Sequence, residues 1–263
     1  MDLHRIGLAP GSAGWLRFSF PGKAAGASEP AALLSLRSAG DMGFDRAGPG
    51  PGRERLLRGL GLEAGAVLGL ELTHSRRVLF PAGPIEQGSL LDLAAAGGGA
   101  DGLILGRDSG LFASVTVADC MPIWILDRST GAYGVLHSGW KGTGILEEAV
   151  GLLGRRGGSG PGAISAILGP AIGSCCYAVP RERAESFASE FGPESVAKGP
   201  GGPRLDLRSA NLSIARRLGL GSLLSIEACT CCEPGLGSFR REGPASFTRM
   251  LALAGHLPGE AAA

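Results

Sequence analysis

Apolar positions along the chain fall into short runs, and the period within each run separates strands from helices. Residues 14–20 alternate apolar and polar side chains and read as a strand. Residues 21–52 are rich in Gly, Ala and Pro and read as a loop-rich or mobile segment. A short helix is expected over 53–60, a strand over 67–73 running into His74, and a loop with a helical turn over 88–99. The strongest apolar stretch, 111–127, reads as strand, as does 133–137, and 143–153 has helical spacing. Beyond it, 164–168 reads as strand, 181–191 and 206–218 as helices, and 223–229 and 247–253 as strands. Strands and helices interleaved in this way, without an internal repeat or a linker, predict one domain over 1–263. Its fold class is an α/β (α+β) sandwich, a mixed sheet with flanking helices.

Composition narrows the function classes. The 263 residues carry 25 basic and 24 acidic side chains, a net charge of +1. No basic stripe or aromatic interleaving accompanies them, which argues against nucleic acid as a partner. No apolar run approaches the ~18 residues of a membrane span, so no membrane partner is expected and the chain reads as cytoplasmic. Two cysteine pairs are sequence neighbours, Cys175-Cys176 and Cys231-Cys232, a pattern that suits reduced thiols better than disulfides. Glycine is abundant, 46 residues, mostly in connecting stretches.

The candidate chemistry gathers on few residues. Of four histidines, His4 and His256 lie near the termini, whereas His74 and His137 end apolar strands. Cys120 sits inside the strongest apolar segment, between Asp119 and Pro122. A His/Cys/His set gives zinc three protein ligands and leaves a fourth position for water. The same residues fit a cysteine nucleophile activated by a histidine. They also fit an inert buried thiol beside two hydrogen-bonded histidines, and spacings of 46 and 17 residues do not choose among the three. Gly169-Pro-Ala-Ile-Gly-Ser-Cys-Cys-Tyr177 offers backbone N–H groups to an anionic or polar ligand, or serves as a glycine-supported turn. Cys229-Thr-Cys-Cys-Glu233 is not expected to hold metal, since its cysteines do not read as the pairing of a zinc ribbon. Arg240, Arg241 and Arg249 follow it, and an arginine there suits phosphate or carboxylate.

Four motifs then occur in order: Thr116-Val-Ala-Asp-Cys-Met-Pro122, Leu136-His-Ser-Gly-Trp-Lys-Gly142, the 169–177 segment, and Cys229-Thr230 with Ser238-Phe-Arg-Arg-Glu-Gly243. Through them the chain resembles the YfiH family, also called the polyphenol oxidase or laccase-domain family and peptidoglycan editing factor PgeF, over roughly residues 60–255. The resemblance implies a single domain grouped with cytotoxic necrotising factor catalytic domains. It implies a zinc site, with copper as an alternative, formed by His74, Cys120 and His137, which are also the catalytic residues. It implies a purine nucleoside phosphorylase acting on adenosine, inosine or methylthioadenosine with phosphate, together with adenosine deamination. Arg53, Lys141 and Arg240 are the expected substrate contacts, as cations for phosphate. Asp119, next to Cys120, is expected on the opposite strand face and therefore in a structural role unless the strand bulges. Alternatives are a cysteine-nucleophile amidase in peptidoglycan precursor editing and a degenerate metal-binding member without turnover. The second is motivated by Leu72 and Leu105, which stand where relatives carry Gln and Thr, and by Phe20-Pro-Gly-Lys23 in place of an N-terminal polar motif. These changes are expected to strip polar groups from the pocket.

Overall fold

A computed structural model of the chain describes residues 1–8, 14–22, 29–45, 48–82 and 98–259. Strands β1 (Asp2–Ile6), β2 (Trp15–Phe18), β3 (Ala31–Ser35), β4 (Phe44–Asp45) and β5 (Gly48–Pro49) precede helix α1 (Pro51–Gly59). There follow β6 (Val67–Leu68), β7 (Val78–Leu79), β8 (Gly102–Leu105), β9 (Phe112–Val117), β10 (Met121–Asp127) and β11 (Tyr133–Ser138). The chain continues through α2 (Ile145–Gly157), β12 (Ile164–Leu168), α3 (Arg181–Phe191), β13 (Val196–Gly199) and β14 (Gly202–Leu205). It closes with α4 (Leu207–Leu218), β15 (Ser222–Ile226), α5 (Phe239–Glu242) and β16 (Met250–Gly255).

Two mixed sheets stack. One has the order β1-β15-β12-β10-β11-β8-β7 and the other β2-β3-β16-β9-β6. β10 shows why its sequence is a continuous apolar run. Met121, Ile123 and Ile125 face a layer formed by α2, α3 and α4, whereas Trp124 and Leu126 face the other sheet. Burial on both faces removes the polar alternation of a half-exposed strand. The Trp124 indole donates to the Leu253 carbonyl of β16 at 2.7 Å and ties the sheets together. On the far side of the smaller sheet, Leu33, Leu251 and Leu253 pack against Leu56 and Leu57 of α1. The expected mixed α/β sandwich is therefore present, with helices on both outer faces. Helix ends follow local chemistry. The Asp206 carboxylate caps α4 by accepting from the Ser209 amide at 2.9 Å, and Gly219 ends it at φ 74°.

Several element expectations need correction. The run 111–127 is two strands in different sheets, β9 and β10, broken at Asp119, which adopts φ 81°. An apolar run cannot report such a break, because both strands are buried. The loop-rich reading of 21–52 overlooks β3, an Ala-Ala-Leu-Leu run buried along its length and paired with β2 and β16. The strand expected over 67–73 shortens to two residues, 223–229 ends at Ile226, and 247–253 shifts to 250–255. The turn expected over 88–99 lies mostly outside the described residues. Among the described residues no helix is long and apolar enough to cross a membrane.

Candidate metal centre

The centre is built around Asp101, a fully buried carboxylate at the entrance to β8. Its Oδ1 accepts from the His74 amide at 2.9 Å and lies 2.8 Å from His137 Nδ1. Its Oδ2 accepts from the amide and hydroxyl of Ser75, both at 2.7 Å, and from those of Thr73, both at 3.2 Å. The Asp101 carbonyl in turn accepts from the His137 amide at 2.7 Å. Burial opposes ionisation, yet the bonds from His137 and Ser75 hold this carboxyl well below the usual carboxylate range. His74 adopts φ 58°, a conformation a non-glycine residue keeps only when its surroundings over-determine it. The bonds from residues 73, 74 and 75 to one carboxylate supply that constraint.

Asp101 sets His137, at the end of β11, beside Cys120, which opens β10. The ligating atoms of His74, Cys120 and His137 lie within 4.8 Å of one another. The two imidazoles meet edge to face with centroids 4.8 Å apart. His137 is buried, Cys120 half-buried and His74 exposed, so the cluster opens to solvent on one side. Gly139 leaves the space Cys120 needs, since a Cβ there would stand 2.8 Å from its sulfur. Burial pushes the Cys120 thiol up, but the His137 charge and hydrogen bonds from His137 and His74 bring it down to about 6. Burial likewise disfavours charge on His137, and the Cys120 and Asp101 charges raise it to about 10. One thiolate and two imidazoles, one of them backed by a carboxylate, form a donor set that suits zinc or copper with a coordination position to spare.

Asp119 anchors the other side. Its Oδ1 accepts from the hydroxyls of Thr230 and Ser238, and its Oδ2 from the Arg240 amide, all at 2.6 Å. Its carbonyl accepts from the Ile172 amide at 2.9 Å. The strand breaks at this residue, so the Cys120 turn, the 169–177 loop and the 228–240 segment converge on it. Its role is to position Cys120.

The expected substrate contacts separate. Arg240 is exposed above the Tyr177 ring, 5.5 Å from its centroid, and Lys141 is exposed with its ammonium 5.5 Å from the Trp140 centroid. Arg53 is not at this rim. It is buried under α1, its guanidinium donating to Ser114 at 3.1 Å, and burial lowers it to about 10. Its burial sets it apart from the exposed Lys141 and Arg240, the other two expected phosphate contacts. Arg53→Ala is expected to cost about 2 kcal/mol of stability, a buried charged hydrogen bond, which urea unfolding checks. Of the two altered positions, Leu105 is buried between the sheets and Leu72 packs half-buried against the same layer.

Sequence reasoning did not single out Asp101 as the hub, nor Trp140, Tyr177 and Arg183 as rim residues. The Arg183 guanidinium lies 4.3 Å from the Trp140 centroid. The Tyr177 phenol is pushed up to about 12 by burial and then by the Cys120 charge, against the pull of Arg183 and Arg240. The available signal for Asp101 was a carboxylate entering a wholly apolar strand, which buried charge tolerates only with partners. A separate groove of about 400 Å³ between α3 and the β13–β14 hairpin contains none of these residues.

Comparison with known proteins places these features in context. The family model described as multi-copper polyphenol oxidoreductase laccase matches residues 23–256. A relative from Geobacillus stearothermophilus, purine nucleoside phosphorylase YlmD, is 30% identical over 92% of this chain and 94% of its own. Purine nucleoside phosphorylase ORF3 of Streptomyces griseus is 31% identical over 91% and 93%. The crystal structure of YlmD from Geobacillus stearothermophilus superposes with a TM-score of 0.78 at 29% identity, covering 95% of this chain and 98% of that one. The hypothetical protein YfiH of Bacillus licheniformis shares the fold, with a TM-score of 0.73 at 24% identity over 86% and 92%.

Proposed function

Since the chain belongs to the multi-copper polyphenol oxidoreductase laccase family, we propose that it is a metal-dependent purine nucleoside phosphorylase. The observation that carries this reading is the His74–Cys120–His137 set beneath a rim of aromatic and cationic side chains. The names of the full-length relatives support it. His74, Cys120 and His137 would hold zinc, which supplies a Lewis acid next to the substrate. In phosphorolysis a phosphate oxygen bonds to ribose C1′ as the bond from C1′ to the purine nitrogen breaks. The bonding pair leaves with the purine, which is protonated as it departs. Lys141, Arg183 and Arg240 provide positive charge for phosphate, and Tyr177 offers an aromatic face and a hydroxyl to the nucleoside.

Phosphorolysis is favoured over deamination by the state of the carboxylates. Deamination needs an acid group free to move protons. Asp101 and Asp119, the carboxylates bonded next to the cluster, are committed to amide, hydroxyl and imidazole partners. A second reading, a cysteine-nucleophile amidase, draws on the Cys120 thiol at about 6 beside His137.

Product analysis separates these readings. Adenosine, inosine or methylthioadenosine with phosphate is expected to give free base and the ribose 1-phosphate, and arsenate or phosphate omission changes that product. Paired Lys141→Ala and Arg183→Ala variants are expected to raise the phosphate KM about tenfold, the equivalent of ~1.4 kcal/mol. No free base from any of the three nucleosides, with rapid alkylation of Cys120 in metal-free protein, would sink the phosphorylase reading.

A further inference from the structure

The parallel pairing of β12 with β15 has a consequence away from the candidate active site. The two strands leave the sheet at the same end, and the loop after β12 carries Cys175 and Cys176, that after β15 Cys229, Cys231 and Cys232. Backbone bonding continues between the loops. The Thr230 amide donates to the Ala171 carbonyl at 3.1 Å. We infer that Cys175, Cys176, Cys229 and Cys232 form a second metal site, a closed four-thiolate structural zinc centre that staples these loops together.

Geometry carries the inference. The four sulfurs lie within 4.8 Å of one another, with Cys175–Cys232 at 3.6 Å and Cys176–Cys232 at 3.4 Å. A zinc ion with sulfur ligands at ≈ 2.3 Å in a tetrahedron places those sulfurs roughly 3.8 Å apart. Disulfide sulfurs stand at about 2.05 Å, and the six cysteines are free. Four sulfurs gathered this closely surround a single ion, whereas an iron–sulfur cluster spreads them over several irons. The expectation that the 229–233 segment holds no metal is corrected on the same ground. Cys229 and Cys232 have C-x2-C spacing, and Cys232 meets Cys176 and Cys175, 56 and 57 residues upstream.

The surroundings fit thiolates. Gly173 donates its amide to the Cys229 sulfur at 3.2 Å, so the glycine loop does offer a backbone N–H to an anionic group, one supplied by the chain itself. A Cβ at Gly173 would stand 3.2 Å from both Cys175 Sγ and Cys229 Cβ. Arg241 fixes the second loop by donating to the carbonyls of Thr230 at 2.6 Å and of Cys231 and Glu233 at 3.1 Å, and Arg204 donates to the Cys175 carbonyl. A divalent cation would neutralise the sulfurs it binds. With four cysteines and no position left for water, the site holds structure. Its loops contain Tyr177 and Thr230, so it steadies the rim and the Asp119 anchor.

Metal counting on the full chain, purified under reducing conditions with zinc and without chelator, tests this. Wild type is expected to carry two zinc ions per chain, Cys175→Ser/Cys232→Ser one, and His137→Ala one. The first loss reports the cysteine centre and the second the His74–Cys120–His137 set, so failure of either leaves the other legible. A second measurement needs no variant. In wild type, Zn²⁺ is expected to protect Cys175, Cys176, Cys229 and Cys232 from alkylation, and chelator to expose them. Equal zinc in wild type and Cys175→Ser/Cys232→Ser, alkylation indifferent to Zn²⁺, or a disulfide within the four in zinc-replete protein each overturns the inference.

Discussion

Replacing Asp101 with asparagine is expected to lower zinc affinity at His74, Cys120 and His137 about 10- to 100-fold, the usual effect of losing the partner behind a ligating histidine. Turnover should fall with it. Asparagine preserves size, so the effect isolates charge and acceptor capacity. Asp101 Oδ2 accepts four donors and Oδ1 takes two more partners, a load only an ionised carboxylate carries. An amide nitrogen in either position would face an N–H or an O–H. If it took the place of Oδ2, the four bonds from Thr73 and Ser75 that flank His74 would go. If it took the place of Oδ1, the His74 amide would lose its acceptor and His137 its carboxylate partner. Stability should drop by roughly 3 kcal/mol, from donors left buried without acceptors. Competition titration with a chelator gives the affinity, and kcat/KM gives the catalytic cost. Unchanged affinity in a folded Asp101→Asn protein would remove Asp101 from its role as hub.

How much of this was legible in the sequence depends on where the information sits. The fold class was readable because period and run length report burial directly, and 181–191 matches α3 in both bounds. Boundaries failed where burial on both faces erased alternation, as in β3, or where the chain turned within an apolar run, as at Asp119. The three cluster residues were named from motifs, and the structure brings them together. Spacing alone left them open, since 46 residues separate His74 from Cys120 and nothing local joins them. The burial of Arg53 was not legible, because it follows from the packing of α1 on the smaller sheet. The cysteine quartet was illegible for a topological reason. Its halves meet because β12 and β15 are parallel neighbours, which no composition or period encodes.

Asp119→Ala is expected to cost roughly 3–5 kcal/mol and to loosen metal binding, for reasons that divide into parts. The carboxylate is buried and accepts Thr230, Ser238 and Arg240 donors at 2.6 Å. Alanine leaves all three without that acceptor, and the two hydroxyls are fully buried. The backbone contributes separately. At φ 81° a Cβ residue pays about 1–2 kcal/mol, which aspartate tolerates and alanine does not offset. Asp119→Gly should therefore lose the same hydrogen bonds yet prove about 1 kcal/mol more stable than Asp119→Ala. Urea unfolding of the three proteins gives both differences. Zinc content reports whether Cys120, one residue on, has lost its place. If Asp119→Ala unfolds within about 1 kcal/mol of wild type, the worth of a single ordinary hydrogen bond, the segments meeting at Asp119 are held by something else. If glycine and alanine are equal, the left-handed turn carries no strain. The carboxylate would then be the whole of the anchor, and the break between β9 and β10 would follow from the Thr230, Ser238 and Arg240 bonds alone.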